Sequence, residues 1–259
     1  MPRLSLQSPL GGVGRTTLLA HLAQAFQRSG RPVLAVDFNP QGHLALHLGL
    51  APDEADGLLP RWTARQDWAQ AGFSLGDIRL LPFGRASAAT LRHFEQTLLD
   101  DSDWLSRQLD RLALPADTVI LIDSPALPSC YARQAAQAAD VNVGVLRPDA
   151  LAPLAVRQLD AWLNDDVTGA TAALLVNGVD ASCELPSAVL GVLRDLYRDR
   201  VAPNPVHLDS AIAEALAADS CVFDYAPHSQ ASHDLYGLAR WLLARLDAMV
   251  EISSPVASR

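Results

Sequence analysis

Cysteine is scarce: Cys130, Cys183 and Cys221 are the only three in 259 residues, odd in number, far apart and without a CxxC pair. That spacing excludes a disulfide framework and a paired-cysteine zinc site, so the three are expected as core fillers in a reducing cytosol. Positive charge is also in short supply, with Lys+Arg 20 against Asp+Glu 29, a net charge of −9 and a pI near 5.1. Affinity for a phosphate backbone comes mainly from basic side chains, so direct nucleic-acid binding is not expected. No apolar run reaches the ~18–20 residues of a spanning helix, and the N-terminus lacks a charged region followed by an apolar stretch and cleavage site. A cytoplasmic protein without direct membrane insertion is expected.

What is present is apolar residue in quantity, 49% of the chain, arranged in strand-length runs. Arg3 to Gln7, Pro32 to Asp37, Ile78 to Pro82, Thr118 to Asp123, Val141 to Leu146 and Ala172 to Asn177 are near-continuous hydrophobic runs, the pattern of strands buried on both faces of a parallel sheet. Helical patterns alternate with them over Thr16 to Arg28, Ala88 to Leu112, Ser129 to Ala139, Ala150 to Leu163 and Ser187 to Tyr197. The alternation predicts an α/β fold with a doubly wound, mostly parallel sheet and helices on both faces. A single domain over 1–252 is expected, followed by a flexible tail over 253–259. Ala51 to Gly76 reads as an irregular excursion with a short helix near Gln66 to Ala71, its tryptophans packing locally. Leu235, Leu238, Leu242, Leu246 and Met249 recur at helical spacing. Arg240 and Arg245 there are offset by Asp234, Asp247 and Glu251, so core packing is favoured over lipid binding.

The sharpest local signal is Pro9-Leu10-Gly11-Gly12-Val13-Gly14-Arg15-Thr16-Thr17, directly after one strand and directly before a helix. Glycines let successive N–H groups converge on one point, to which the helix adds its positive dipole end, making a phosphate cradle from Gly11 to Thr17. Thr16 occupies the position of a magnesium-ligating hydroxyl, and Thr17 can donate to the nearest phosphate. The strict GxxxxGK[ST] pattern is not met, since Pro9 replaces its first glycine and Arg15 its lysine. Asp37 and Asp123, each closing a strand, are candidate metal-shell carboxylates, because ligands of open α/β sheets bind at the carboxyl edge. The plainer alternatives are a glycine turn that merely packs helix on strand, and strand-end carboxylates that cap loops.

GGVGRTT, then VLAVDFNPQG and VILIDSP, resembles the deviant Walker A, ParA/MinD-type P-loop ATPases of the SIMIBI class. The strings QDWAQAGFSLGDIRLLPFG (Gln66 to Gly84) and HLDSAIAEALAADSCVFDYAPHSQASHDLYGLARWLL (His207 to Leu243) narrow the resemblance to the BcsQ (YhjQ) family of cellulose-secretion accessory proteins. The resemblance implies ATP and Mg2+ as cofactors and a nucleotide-dependent homodimer. It further implies a small BcsR-like subunit where present, inner-membrane cellulose synthase components as partners, and recruitment to the inner membrane or cell pole through them.

It also implies where this chain departs from its relatives. The signature lysine that crosses the dimer corresponds to Leu10, and the second switch-I aspartate, which orients the attacking water, to Asn39. An amide cannot take a proton as a carboxylate can, so tight ATP binding with slow or absent hydrolysis is expected. The alternatives are a working positioning ATPase and a DNA-partition protein. For the base, Asn177 offers donor and acceptor to the adenine edge, with His207 and Asp209 beside it, although Asn-Gly is also a common turn pair. His43 and His47, four apart, have the spacing of a metal pair but no third ligand.

Overall fold

The computed structural model describes residues 1–49, 56–166 and 171–253. In chain order these hold β1 (Arg3–Gln7), α1 (Arg15–Arg28), β2 (Val33–Asp37), the single turn α2 (Leu44–His47) and α3 (Leu58–Thr63). There follow β3 (Phe73–Leu75), β4 (Ile78–Leu81), α4 (Ala88–Asp100), α5 (Trp104–Asp110), β5 (Val119–Asp123), α6 (Cys130–Ala138) and β6 (Val141–Leu146). The chain continues with α7 (Ala152–Asp166), β7 (Thr171–Val179), α8 (Glu184–Tyr197), β8 (Val206–His207), α9 (Ser210–Ala217), α10 (Val222–Tyr225) and α11 (Gln230–Ser253).

The strands form one sheet in the order β3-β4-β2-β5-β1-β6-β7-β8. Every pairing is parallel except β3 with β4. β1 lies inside the sheet, and the chain winds outward from it to both sides, so the loop leaving β1 opens where strand order reverses. That is the point at which an open α/β sheet leaves a crevice. Asp37 and Asp123 are register partners on β2 and β5, which brings both carboxylates to this crevice.

Each sheet face is sealed by hydrophobic contact. On one, Leu18, Leu22 and Phe26 of α1 meet Leu235, Leu238, Leu242 and Leu246 of α11; all seven are at most 3% exposed. Each such side chain contributes about 1.5–3 kcal/mol on leaving water. The apolar stripe of the C-terminal helix therefore packs on its own core, as its charge balance predicts. On the other face Phe38, Phe83, Phe94, Trp104 and Tyr131 form an aromatic cluster, which Trp62 joins at 4.8 Å from Phe94. Trp68 is buried and its Nε1–H donates to Gln108 Oε1 at 3.2 Å. The tryptophans of the excursion thus pack locally.

Three expectations need correction. The helix predicted over Ala88 to Leu112 is two helices, because Asp101-Ser102-Asp103 favours caps and turns over helix interior. The buried Gln134 of α6 holds the break: its amide donates to the Leu98 and Asp101 carbonyls and accepts from Leu105 N–H at 2.9 Å. The excursion, whose residues 51–55 lie outside the described range, contains more order than expected. Its short helix is a 3₁₀ turn at Trp68–Ala71, capped by Asp67 accepting from Ala69 N–H at 3.0 Å. It also adds α3 and β3, which pairs with the expected strand β4 across a turn at Gly76-Asp77 with Gly76 at φ 61, a conformation glycine adopts without strain. Finally, Cys221 is buried and Cys130 half-buried, but Cys183 is exposed at the start of α8, so it fills no core. The tail from residue 254 onward lies outside the described residues.

Candidate nucleotide site

The loop between β1 and α1 is built from the backbone up. Gly12 (φ 71) and Gly14 (φ 88) take left-handed conformations, and Gly14 is the residue from which α1 starts. A side chain at Gly14 would also meet Asn177 Nδ2 at 2.6 Å, so both backbone and neighbour require glycine there. Among the described residues, the N–H groups of Gly11, Gly12, Val13 and Gly14 donate to no protein acceptor. Unpaired loop donors at the positive end of a fourteen-residue helix are an anion cradle.

Arg15 does not reach into that cradle. Its guanidinium donates back to the carbonyls of Ser8 at 3.3 Å and Pro125 at 2.9 Å, bracing the loop against the segment after β5. Burial draws its pKa down, and the nearby Asp123 opposes this. All 20 basic side chains of the chain are arginines, a compositional signal that makes arginine at this position part of a chain-wide preference. Leu10 packs onto the cores of both faces, so its side chain folds onto its own chain.

Behind the cradle, Thr16 Oγ1–H lies 3.0 and 3.2 Å from the two oxygens of Asp123. Asp37 accepts from the N–H groups of Asn39 at 3.2 Å and Leu44 at 3.1 Å. The Asn39 amide lies close enough to Asp123 to lower its pKa, and its Oδ1 accepts from Gln41 N–H at 3.1 Å. Both aspartates are fully buried. Burial pushes Asp123 up to about 6 against the bond from Thr16 and the nearby Arg15 charge. Burial and the neighbouring Asp123 push Asp37 well above the usual carboxylate range. Two buried carboxylates that resist joint ionisation are suited to a cation. Among the described residues no cluster of three or more His, Cys, Asp or Glu forms a metal cage. Thr16, Asp37 and Asp123 thus fit a hard ion that keeps waters and takes its remaining ligands from a phosphate, as magnesium does.

The expected base-side residues also come together. Gly14, Thr17, Asn177, His207 and Asp209 line one cavity of about 230 Å³, closed by Leu18, His21, Leu208 and Ile212. Asn177 Nδ2 donates to Val13 O at 2.8 Å, tying the base side to the loop and leaving Oδ1 for a ligand. His207 Nδ1–H donates to Asp234 at 2.8 Å. Asp209 has both oxygens occupied, by Ala211 N–H at 2.9 Å and Ala231 N–H at 3.0 Å; it fixes the cavity wall by starting α9 and holding α11. His43 and His47 gather no third ligand among the described residues; His47 Nε2 lies 3.5 Å from Thr17 Oγ1. His21, at the cavity wall, went unnoticed in the sequence, although its position four residues after Thr17 puts it on the same face of α1.

Comparison with known proteins joins this geometry to a family. The sequence profile of the family described as Cellulose biosynthesis protein BcsQ matches residues 1–243. The chain is 29% identical to the Cellulose biosynthesis protein BcsQ of Escherichia coli (strain K12), over 100% of this chain and 99% of that one. It is also 29% identical to that of Salmonella typhimurium, over 94% of each. Among solved structures, the septum site-determining protein MinD of Pyrococcus horikoshii, determined with Mg-ADP, superposes with a TM-score of 0.77 at 22% identity, over 98% of this chain and 99% of that one. The fold is therefore that of the ParA/MinD-type P-loop ATPases, and the chain belongs to the BcsQ family of cellulose biosynthesis proteins.

Proposed function

We propose that this chain binds ATP with Mg2+ in the crevice at the carboxyl end of β1 and acts as a dimerising regulatory subunit of a bacterial cellulose synthesis and secretion system, hydrolysing its nucleotide slowly or not at all. One observation carries the reading. Four loop N–H groups without a protein acceptor precede α1, and two buried carboxylates that resist joint ionisation stand in register on the neighbouring strands, a surplus of donors and of acidic groups that a magnesium triphosphate satisfies together. When bound, the metal supplies charge neutralisation at the phosphates. Gly11 to Gly14 and Thr17 bind phosphate oxygens, Thr16 ligates the ion, Asp37 and Asp123 hold its hydration shell, and Asn177 and His207 border the base.

Slow hydrolysis follows from Asn39 and Leu10. The Asn39 Oδ1 accepts from Gln41 N–H, and an amide has no basic lone pair to take a proton from water. Leu10 brings no charge to a second copy's phosphates, and phosphoryl transfer depends on such charge stabilisation. A family relationship to proteins named for cellulose biosynthesis supports partners in the inner-membrane synthase, a small BcsR-like subunit, and a second copy of this chain. No described helix is long and apolar enough to cross a membrane, so recruitment to the membrane or pole proceeds through those partners. Residues 1–252 act as one folding unit.

The competing reading is a positioning ATPase that cycles its dimer, and one sample separates the two. Protein incubated with ATP and Mg2+ is assayed for molecular mass and released phosphate together. A doubled mass with less than one phosphate per chain is expected. Repeated turnover would overturn the role given to Asn39, and an unchanged mass would remove the dimer.

A further inference from the structure

At the amino end of β4, the opposite end of the strands from the crevice, a second cavity of about 610 Å³ opens between the excursion and the segment that leads into β5. Its charged lining is Arg65, Arg79 and Arg111 against the single acid Asp67, a positive excess in a chain whose net charge is −9. Elsewhere arginines pair with aspartates, as Arg61 does with Asp56 and Arg107 with Asp101. Among the described residues none of these three has an acidic partner at ion-pair distance. Cations around one cavity repel where salt screens only beyond ~8–10 Å, and an anion between them reverses the sign of that interaction. Two of the three are also set by the backbone. Arg79 Nη2–H donates to the Ala69 carbonyl, and its Nε would lie 2.6 Å from a Cβ at Gly72, so the guanidinium rests on a position that has to be glycine. Arg65 ends α3 at φ 56, left-handed backbone that glycine adopts at lower cost, yet the position carries a side chain. Arg65 and Arg111 are exposed and Arg79 is half-buried, so all three heads are open to a ligand.

We propose that this cavity is a second ligand site, separate from the nucleotide crevice, that takes the phosphate monoester group of a small ligand. Such a group carries about −1.5 to −2 charge at pH 7 and three strong acceptor oxygens, which balances three arginines set against one aspartate. A single carboxylate would leave part of that positive charge unmatched. Guanidinium forks bond phosphate oxygens in pairs and stay charged at any physiological pH. The volume lies within the ~300–1,000 Å³ of small-ligand sites, leaving room for an organic group against the apolar wall of Trp68 and Leu112. Arg79 is the register partner of Leu34 on β2, the strand that ends in Asp37, so one strand pair connects this cavity to the crevice.

The test titrates phenyl phosphate, and benzoate for comparison, into the full-length protein at constant ionic strength with Mg-ATP already present. The readout is local: the indole N–H resonance of Trp68, which donates to Gln108 at 3.2 Å and is identified by its loss in Trp68→Phe. A saturable shift with phenyl phosphate is expected, at least about tenfold tighter than with benzoate. Arg65→Gln and Arg111→Gln, both at exposed positions, should each weaken it about tenfold, the loss of one charge-assisted contact. Vesicles of phosphatidic acid, whose headgroup is the same ester, distinguish the source. Co-sedimentation lost in both variants assigns the site to a lipid, and binding of phenyl phosphate without co-sedimentation assigns it to a free metabolite. A resonance that does not move at ~10 mM phenyl phosphate, beyond the range of a millimolar site, overturns the proposal. So does an equal response to benzoate, or a shift unchanged in both variants, which would leave the three arginines as a solvated cationic surface. Because the readout lies away from the crevice, any of these failures leaves the nucleotide reading standing, and failure of ATP to bind leaves this site testable.

Discussion

The two halves of the crevice solve different physical problems. At the phosphate half, polar groups are abundant and mutually engaged: Thr16 donates to Asp123, Asp37 is held by the N–H groups of Asn39 and Leu44, and both carboxyl groups are buried. At the base half, polar groups are fewer and the walls mostly apolar. The first half is tuned by electrostatics, which act over several ångströms and respond to pH and salt. The second is tuned by single hydrogen bonds, which are short-ranged and read chemical identity.

The largest way to break that contrast is at Asp123. Replacing it by asparagine removes one of two buried ionisable carboxyl groups while keeping an oxygen that can accept from Thr16. Affinity for Mg-ATP is expected to fall about 10–100-fold, the usual cost of losing a group that orients a metal's ligands. The effect on the ligand-free protein runs the other way. Asp123 has its pKa raised from 3.8 to about 6, so the folded state holds this proton more tightly than the unfolded chain. Its contribution to stability is therefore greatest below about pH 4 and is lost as pH rises through 6, with Asp37 shifted in the same direction. Thermal melts from pH 4 to 8 should show the Tm of wild type dropping relative to Asp123→Asn as pH rises. Mg2+ with ATP should flatten the wild-type slope. A wild-type Tm that gains on the variant with rising pH would show that burial does not raise the Asp123 pKa.

The next effect is smaller and strikes both halves at once. Gly14→Ala places a methyl group 2.6 Å from Asn177 Nδ2 at a φ of +88. The left-handed backbone alone costs about 1–2 kcal/mol, and the clash pushes the Asn177 amide away from Val13 O. Calorimetry should record a loss of stability of that order, and nucleotide titration a drop in affinity of about tenfold, for ATP and for purine riboside 5′-triphosphate, which lacks the 6-amino group, alike. A drop confined to ATP would mean that Gly14 serves only the base half.

How much of this was legible in the sequence also divides along the same line. The phosphate half announces itself because backbone geometry needs glycine at fixed spacing and strand ends can carry acids in register: Gly12 and Gly14 take left-handed conformations, and Asp37 and Asp123 close paired strands. The sheet was equally readable, since its buried strands are continuous apolar runs. What the sequence concealed lies in contacts between segments distant in the chain. Gln134 splitting α4 from α5 depends on two carbonyls and an N–H group 29 to 36 residues away, and no local pattern encodes it. β8 is two residues long, below any periodicity. Arg15 carries the expected charge, but its direction is set by the carbonyl of Pro125, 110 residues distant. Arg65, Arg79 and Arg111 are far apart in the chain, and only the fold gathers them around one cavity.

The smallest predicted effect tests whether the two halves communicate through their shared threonine. Thr17 carries both contacts: its carbonyl accepts from His21 Nδ1–H at 2.8 Å, and its hydroxyl lies 3.5 Å from His47 Nε2. The second distance is at the limit of a hydrogen bond. Burial, with His21 and His43 nearby, draws the His47 pKa below its usual value, so the ring is neutral at pH 7 and offers no charge to a phosphate. His47→Ala should therefore change ATP affinity by less than about twofold, within the ±0.5 kcal/mol of an unengaged site, and leave the ATP-to-GTP ratio untouched between pH 6 and 8. A larger loss that grows as pH falls would mean that His47 takes up a proton when nucleotide binds. The base half would then respond to pH through α2, and the division between an electrostatic half and a hydrogen-bonding half would have to be redrawn at Thr17.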